Sequence, residues 1–91
     1  MWDFNRTELY TFRNFHIPSY MMEGLQRYIE DHVSPGKFLS AVIKNDLRGA
    51  IDMADDQNIQ NLPAYVAFLY NHAPISCWGS EENFNKWLKE K

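Results

Sequence analysis

The sequence predicts an all-α domain, a compact bundle of about five short helices with an aromatic N-terminal arm. Three observations lead to this class. Apolar residues recur at helical spacing in five segments, and residues that start or stop helices fall between those segments. The chain has 91 residues, 45% of them hydrophobic, which suffices for one small core. We expect residues 1–16 to form the arm and residues 17–91 a single helical domain.

The arm is rich in aromatic residues and has no clean period. Its apolar residues are Trp2, Phe4, Leu9, Tyr10, Phe12 and Phe15. They predict a segment that packs on the helical domain, either that of its own chain or that of a neighbouring copy. The alternation of Tyr10, Phe12 and the pair Phe15/Ile17 would also fit a short strand. We favour an arm that contains at most a short helix.

The first three helices are marked by their ends. Proline suits the first turn of a helix, so the first helix is predicted from about Pro18 to Asp31. The turn sequence SPG at 34–36 precedes a second helix, which ends near Asn45. Either Asn45 or Asp46 stops that helix and caps the third, which begins with Leu47.

The fourth helix is predicted from a cap at Asp55 or Asp56 to about His72. Pro63 lies inside this apolar pattern and leaves two alternatives. It either kinks the helix or marks a later start with Asn61 as the cap.

The segment NHAPISCWGS, residues 71–80, contains the only cysteine of the chain beside a histidine and a tryptophan. A cysteine nucleophile needs a base and an orienting group. His72 lies five residues before Cys77, but nothing marks a third partner, and cysteine is often fully buried. We interpret the segment as a structural connector whose Ser80 caps the last helix.

Composition and spacing argue against several classes of function. The chain has a net charge of −3, and its nine lysine and arginine residues form no run, which disfavours binding to duplex nucleic acid. One cysteine and three histidines show no paired metal-ligand spacing, and no glycine-rich phosphate loop occurs. No apolar run is long enough for a membrane span, and no signal segment is present. We expect a soluble cytoplasmic protein that is not an enzyme and has no metal or cofactor.

A scattered set of cationic, aromatic and amide side chains favours a small anionic ligand. Arginine beside aromatic rings can fork a phosphate while a ring stacks on a base; a mixed solvated surface is the simpler interpretation. We expect Arg27 with Lys44 or Arg48 to meet phosphates. Candidates for stacking are Tyr20, Tyr28 and Trp78, and candidates for reading polar edges are Asn45 and Asn71.

From residue 17 onward the chain carries a set of short motifs. They are Ile17-Pro18, Gly24-Leu25, Arg27-Tyr28, Pro35-Gly36, Phe38-Leu39, Asn45-Asp46-Leu47, Ala54-Asp55, Asn58, Tyr70-Asn71 and Cys77-Trp78-Gly79-Ser80. In these motifs the chain resembles a family of small proteins encoded by bacteriophages and related mobile elements, for which no activity is firmly assigned. Pro63 departs from the pattern. The resemblance implies a setting in the host bacterial cytoplasm, where accessory proteins of this size often counter host defence by binding.

Two hypotheses follow for the function. The first is a non-enzymatic homo-oligomer that sequesters a small nucleotide signal of host immunity. The alternative is a protein–protein inhibitor whose arm, Trp2 to Phe15, supplies aromatic anchors for a host defence protein. A nucleotide-degrading enzyme is a third and weaker possibility. Self-association is expected because fourteen aromatic residues are more than so small a core can hide.

Overall fold

The computed structural model describes residues 2–4 and 9–90. In this part of the chain, six α-helices and one two-stranded hairpin follow each other along the sequence. The strands are β1 (Thr11–Phe12) and β2 (Phe15–His16). The helices are α1 (Ser19–Asp31), α2 (Lys37–Ile43), α3 (Leu47–Met53), α4 (Asp56–Gln60), α5 (Leu62–His72) and α6 (Glu81–Lys89), with a 3-10 turn at Ile75–Cys77. The all-α prediction is confirmed.

The arm forms a hairpin, so the favoured prediction of at most a short helix is wrong and the strand alternative is confirmed. β1 and β2 pair antiparallel with Phe12 opposite Phe15, and Arg13 takes a positive φ of 55° in the turn. The backbone N–H of Ile17 donates to the Tyr10 carbonyl at 3.0 Å, beside this short ladder. Ring contacts then fix the arm on its own chain, because Trp2 and Tyr10 lie 5.8 and 5.3 Å from Phe68, centroid to centroid.

The helix starts follow side-chain caps that the sequence indicates. Asp46 accepts from the N–H of Gly49 at the start of α3, which settles the choice between Asn45 and Asp46. Asp55 caps α4 and Ser80 caps α6 in the same way. Asn45 instead takes a left-handed conformation, with φ 64°, in the link between α2 and α3.

Pro63 divides the predicted fourth helix into two helices. α4 ends at Gln60, and α5 begins at Leu62 with the proline in its first turn, where a missing N–H costs no hydrogen bond. Asn61 occupies the N-cap position but makes no side-chain cap. Its side chain accepts from the N–H of His16 at 3.0 Å and donates to the Gln57 carbonyl at 2.9 Å, which ties the hairpin to this junction.

The core lies between the inner side of α5 and helices α1, α2 and α6. Tyr65, Phe68 and Leu69 of α5 are buried, with Phe38 of α2 in edge contact with Tyr65. At the other end, the indole N–H of Trp87 donates to the Tyr28 carbonyl at 2.8 Å, which fastens α6 to α1. Burial of these side chains supplies most of the stabilisation of so small a domain.

Candidate ligand-binding groove and apolar face

The connector between α5 and α6 is held by hydrogen bonds to the core. The Cys77 carbonyl accepts from the Tyr28 hydroxyl at 2.8 Å, and the N–H of Gly79 donates to the Ile43 carbonyl at 2.7 Å. Cys77 is fully buried, and burial raises the pKa of its thiol to about 12. The thiol is therefore protonated near neutral pH, and the segment has the structural role that its sequence indicates.

Tyr28 requires a correction among the predicted ligand-binding residues. Its exposed fraction is 0%, and its ring stacks on Phe84 with centroids 5.5 Å apart. Its hydroxyl donates a hydrogen bond to the backbone carbonyl of Cys77. A ring in this position has no free face for a base. Burial is also the main cause that raises the pKa of its hydroxyl above the ordinary tyrosine range.

The other predicted residues lie on several surfaces. Tyr20 is exposed on α1, where its hydroxyl donates to the Gln57 side chain at 3.2 Å, and Arg27 and Arg48 are exposed. Trp78 is half-buried and packs against the core. Lys44, Asn45 and Asn71 each line a different depression. The structure does not gather these residues into one site.

Lys44 lies in a groove of about 470 Å³ between α2, α3 and the start of α6, here named the α2–α3 groove. Its lining combines cationic, hydroxyl and apolar side chains. It consists of Ser34, Pro35, Lys37, Ser40, Ala41, Lys44, Asp46, Gly49, Met53 and Phe84. This volume falls within the range of small-molecule sites, which commonly measure about 300–1,000 Å³.

The α2–α3 groove has an excess of positive charge. Lys37 is the first residue of α2 and Lys44 is its C-cap, seven residues or two helical turns later, and both line the groove. The Lys44 ammonium lies 4.9 Å from the centroid of the Phe84 ring, a cation–π distance. The Asp46 carboxylate also lines the groove and offsets one of the two positive charges; it accepts the capping hydrogen bond from the Gly49 N–H at 3.0 Å.

Lys37 and Phe84 are groove residues that the sequence-based site missed. The seven-residue spacing of Lys37 and Lys44 was a usable signal, since it places two cations on one side of a helix. Phe84 offered none, because a buried aromatic residue of α6 contacts α2 only through the tertiary fold.

A second surface, here named the α5 face, lies beside the hairpin. It is a groove of about 510 Å³ lined by Phe12, Leu62, Pro63, Val66, Ala67, Tyr70 and Asn71. Asn71 is the one polar residue of this lining within the described chain. Beyond Leu62 and Val66, a shallow depression continues to Leu47 and Ala50 of α3.

Over residues 2–4 and 9–90, no group of three or more His, Cys, Asp or Glu side chains is arranged to hold a metal ion. None of the helices described there has the length and apolar character needed to cross a bilayer.

Comparisons with known proteins leave function to be inferred from these two surfaces. No protein-family model matches the chain, and neither a curated protein nor a solved structure shows significant similarity to it.

Proposed function

We propose that the protein is a non-enzymatic binding protein that holds a small anionic ligand of the nucleotide class in the α2–α3 groove. The observation that carries the proposal is the pair of cations, Lys37 and Lys44, lining one groove together with the aromatic ring of Phe84. No other depression described above combines positive charge with an aromatic side chain among the residues that the structure describes.

The groove offers a separate group for each part of such a ligand. The ammonium groups of Lys37 and Lys44 can each donate charge-assisted hydrogen bonds to phosphate oxygens of a ligand in the groove. The Ser34 hydroxyl lines the groove beside them, whereas the Ser40 hydroxyl already donates to the Pro35 carbonyl at 3.3 Å and keeps only acceptor capacity. Met53, which is 51% exposed, supplies apolar surface for a base. Phe84 is 95% buried, with its ring stacked on Tyr28, and it acts by holding the Lys44 ammonium in place.

The biological setting of the proposal comes from the resemblance to phage-encoded proteins. A protein that lowers the free concentration of an immune nucleotide in a bacterial cytoplasm needs affinity and no chemistry.

Isothermal titration with AMP, ADP-ribose and a cyclic dinucleotide tests the proposal, with inorganic phosphate as a fourth titrant. We expect at least one nucleotide to bind and the double variant Lys37→Gln/Lys44→Gln to bind it at least about tenfold more weakly, since each tenfold is about 1.4 kcal/mol. Lys86→Gln is the matched control, because the Lys86 ammonium pairs with Glu82 on α6 at 3.1 Å. No heat with any nucleotide at micromolar protein would contradict the proposal.

The second candidate, a protein–protein inhibitor, remains a prediction. Its expected anchors Trp2 and Tyr10 pack on Phe68 and His72 and so serve the chain's own core. Phe12 is an arm residue that lines the α5 face and favours this candidate. Affinity capture from host lysate separates the candidates, since a stoichiometric protein supports the inhibitor and a co-purifying nucleotide supports the first proposal.

A further inference from the structure

We infer that the α5 face is an interface between two copies of this chain. The α5 face meets the α2–α3 groove only at Asp46, which lies at the margin of both, and its pairing does not depend on ligand binding in the groove. It begins from the composition of α5, LPAYVAFLYNH, which has no Asp, Glu, Lys or Arg in eleven residues. A helix that is apolar on all sides is ordinarily covered on all sides.

The outer side of α5 is uncovered in the isolated chain. Pro63, Val66 and Tyr70 are spaced by three and four residues, so they form one stripe along the helix. Val66 is 47% exposed and Tyr70 is 76% exposed. Leu47 of α3, 67% exposed, extends the apolar surface beyond the stripe. Clustered exposure of this kind marks an interaction surface, whereas single exposed apolar residues need no explanation.

The shape of the α5 face is suited to pairing with itself. In a two-fold interface the same patch meets its own copy, so a protrusion must find its recess on the same surface. The α5 face has both, since the exposed ring of Tyr70 stands beside the apolar groove between Phe12 and the helix. Tyrosine is also among the residues that contribute most at interface centres.

Charge favours a second copy over an unrelated partner. A charged group at the centre of a two-fold interface meets its own like charge, and none of the described residues that line the α5 face is charged. Its margins are opposite in sign: the Arg13 guanidinium lies 5.1 Å from the centroid of Phe12, and Asp46 lines the depression beyond Leu62 and Val66. A two-fold axis along α5 exchanges the two margins, so Arg13 of one copy approaches Asp46 of the other.

Sedimentation equilibrium across a micromolar concentration series tests the inference. We expect the wild-type chain to reach twice its monomer mass, and Val66→Glu to weaken the dimer at least about tenfold because it sets two carboxylates against each other. Ile75→Glu is the matched control: Ile75 is also apolar and 85% exposed, but it lies in the connector and outside the α5 face, so it should leave the dimer unchanged.

Tyr70→Gln is a second test variant, which should also weaken the dimer but adds no charge. Circular dichroism of each variant checks that the variant is folded. A monomeric wild type at every concentration would overturn the inference, and so would a dimer lost in Ile75→Glu but kept in Val66→Glu. A wild-type monomer whose α5 face captures a different protein would also overturn it. Nucleotide titration of the Val66→Glu variant reports on the α2–α3 groove separately, so failure of the interface and failure of the proposed function are distinguishable.

Discussion

The two sides of α5 are equally apolar but differ in what covers them. The inner side, with Tyr65, Phe68 and Leu69, is buried against the other helices, whereas the outer side exposes Val66 and Tyr70. The two tyrosines differ in the same way. The buried Tyr65 hydroxyl donates to the Asn58 side chain at 2.6 Å, whereas Tyr70 is 76% exposed to solvent. The fold of one chain therefore explains one side of this helix, and the association proposed above would account for the other.

The largest effect expected from this difference is on stability. Phe68→Ala should lower the free energy of unfolding by about 3–5 kcal/mol, because it leaves a cavity at the centre of the core. Tyr70→Ala, two residues away, should leave the stability of the monomer within about 0.5 kcal/mol of the wild type. Urea unfolding at protein concentrations below dimer formation measures both, and similar losses for the two variants would mean that the sides are not distinct.

A smaller effect is expected from the removal of single hydroxyl groups. Tyr65→Phe leaves the buried Asn58 amide oxygen without its donor, which should cost about 1–3 kcal/mol. The matched change on the exposed side, Tyr70→Phe, should cost almost nothing. The comparison needs only the unfolding midpoints of two nearly isosteric variants, and an unchanged midpoint for Tyr65→Phe would show that the buried hydrogen bond adds no stability.

The smallest effect is a dependence of stability on alkaline pH. Burial is the largest of the causes that raise the pKa of Tyr65 above its ordinary value of 10.0, so the unfolded chain loses this proton first. The contribution of the protonated Tyr65 hydroxyl to the free energy of unfolding is complete below pH 10. It is lost as pH rises from 10 through the pKa of Tyr65 in the folded chain, and the free energy of unfolding falls by at most about 1.4 kcal/mol per pH unit. Unfolding measured between pH 9 and 11 should show a shallower decline for Tyr65→Phe, and an identical decline would contradict the burial argument.

Local chemistry made much of the fold predictable. Each of three side chains accepts one capping hydrogen bond from a backbone N–H and so fixes where a helix begins: Asp46, Asp55 and Ser80. Pro63 marked the boundary between α4 and α5 for the same local reason. The hairpin was predicted only as the less favoured alternative, because strands of two residues give a weak alternation, and contact with α5, far along the chain, holds them in place.

The candidate site was less predictable, since exposure is decided by packing. Tyr28 shares its spacing with Leu25 and Ile29, which pointed to a buried stripe, but a tyrosine beside Arg27 also looked like a ligand-binding pair. Tyr70 is the same residue type and is exposed. Which tyrosine faces water depends on how α1 and α5 pack, and one sequence does not contain that information in a local pattern.

A dilution series followed by two-dimensional amide NMR tests the α5 interface most directly. With increasing concentration, we predict chemical-shift changes at Phe12, Val66 and Tyr70, while the amides of Lys37 and Ser40 in the α2–α3 groove stay unchanged. Spectra that do not change with concentration, or changes confined to residues outside the α5 face, would contradict the assignment of this surface to a second copy of the chain.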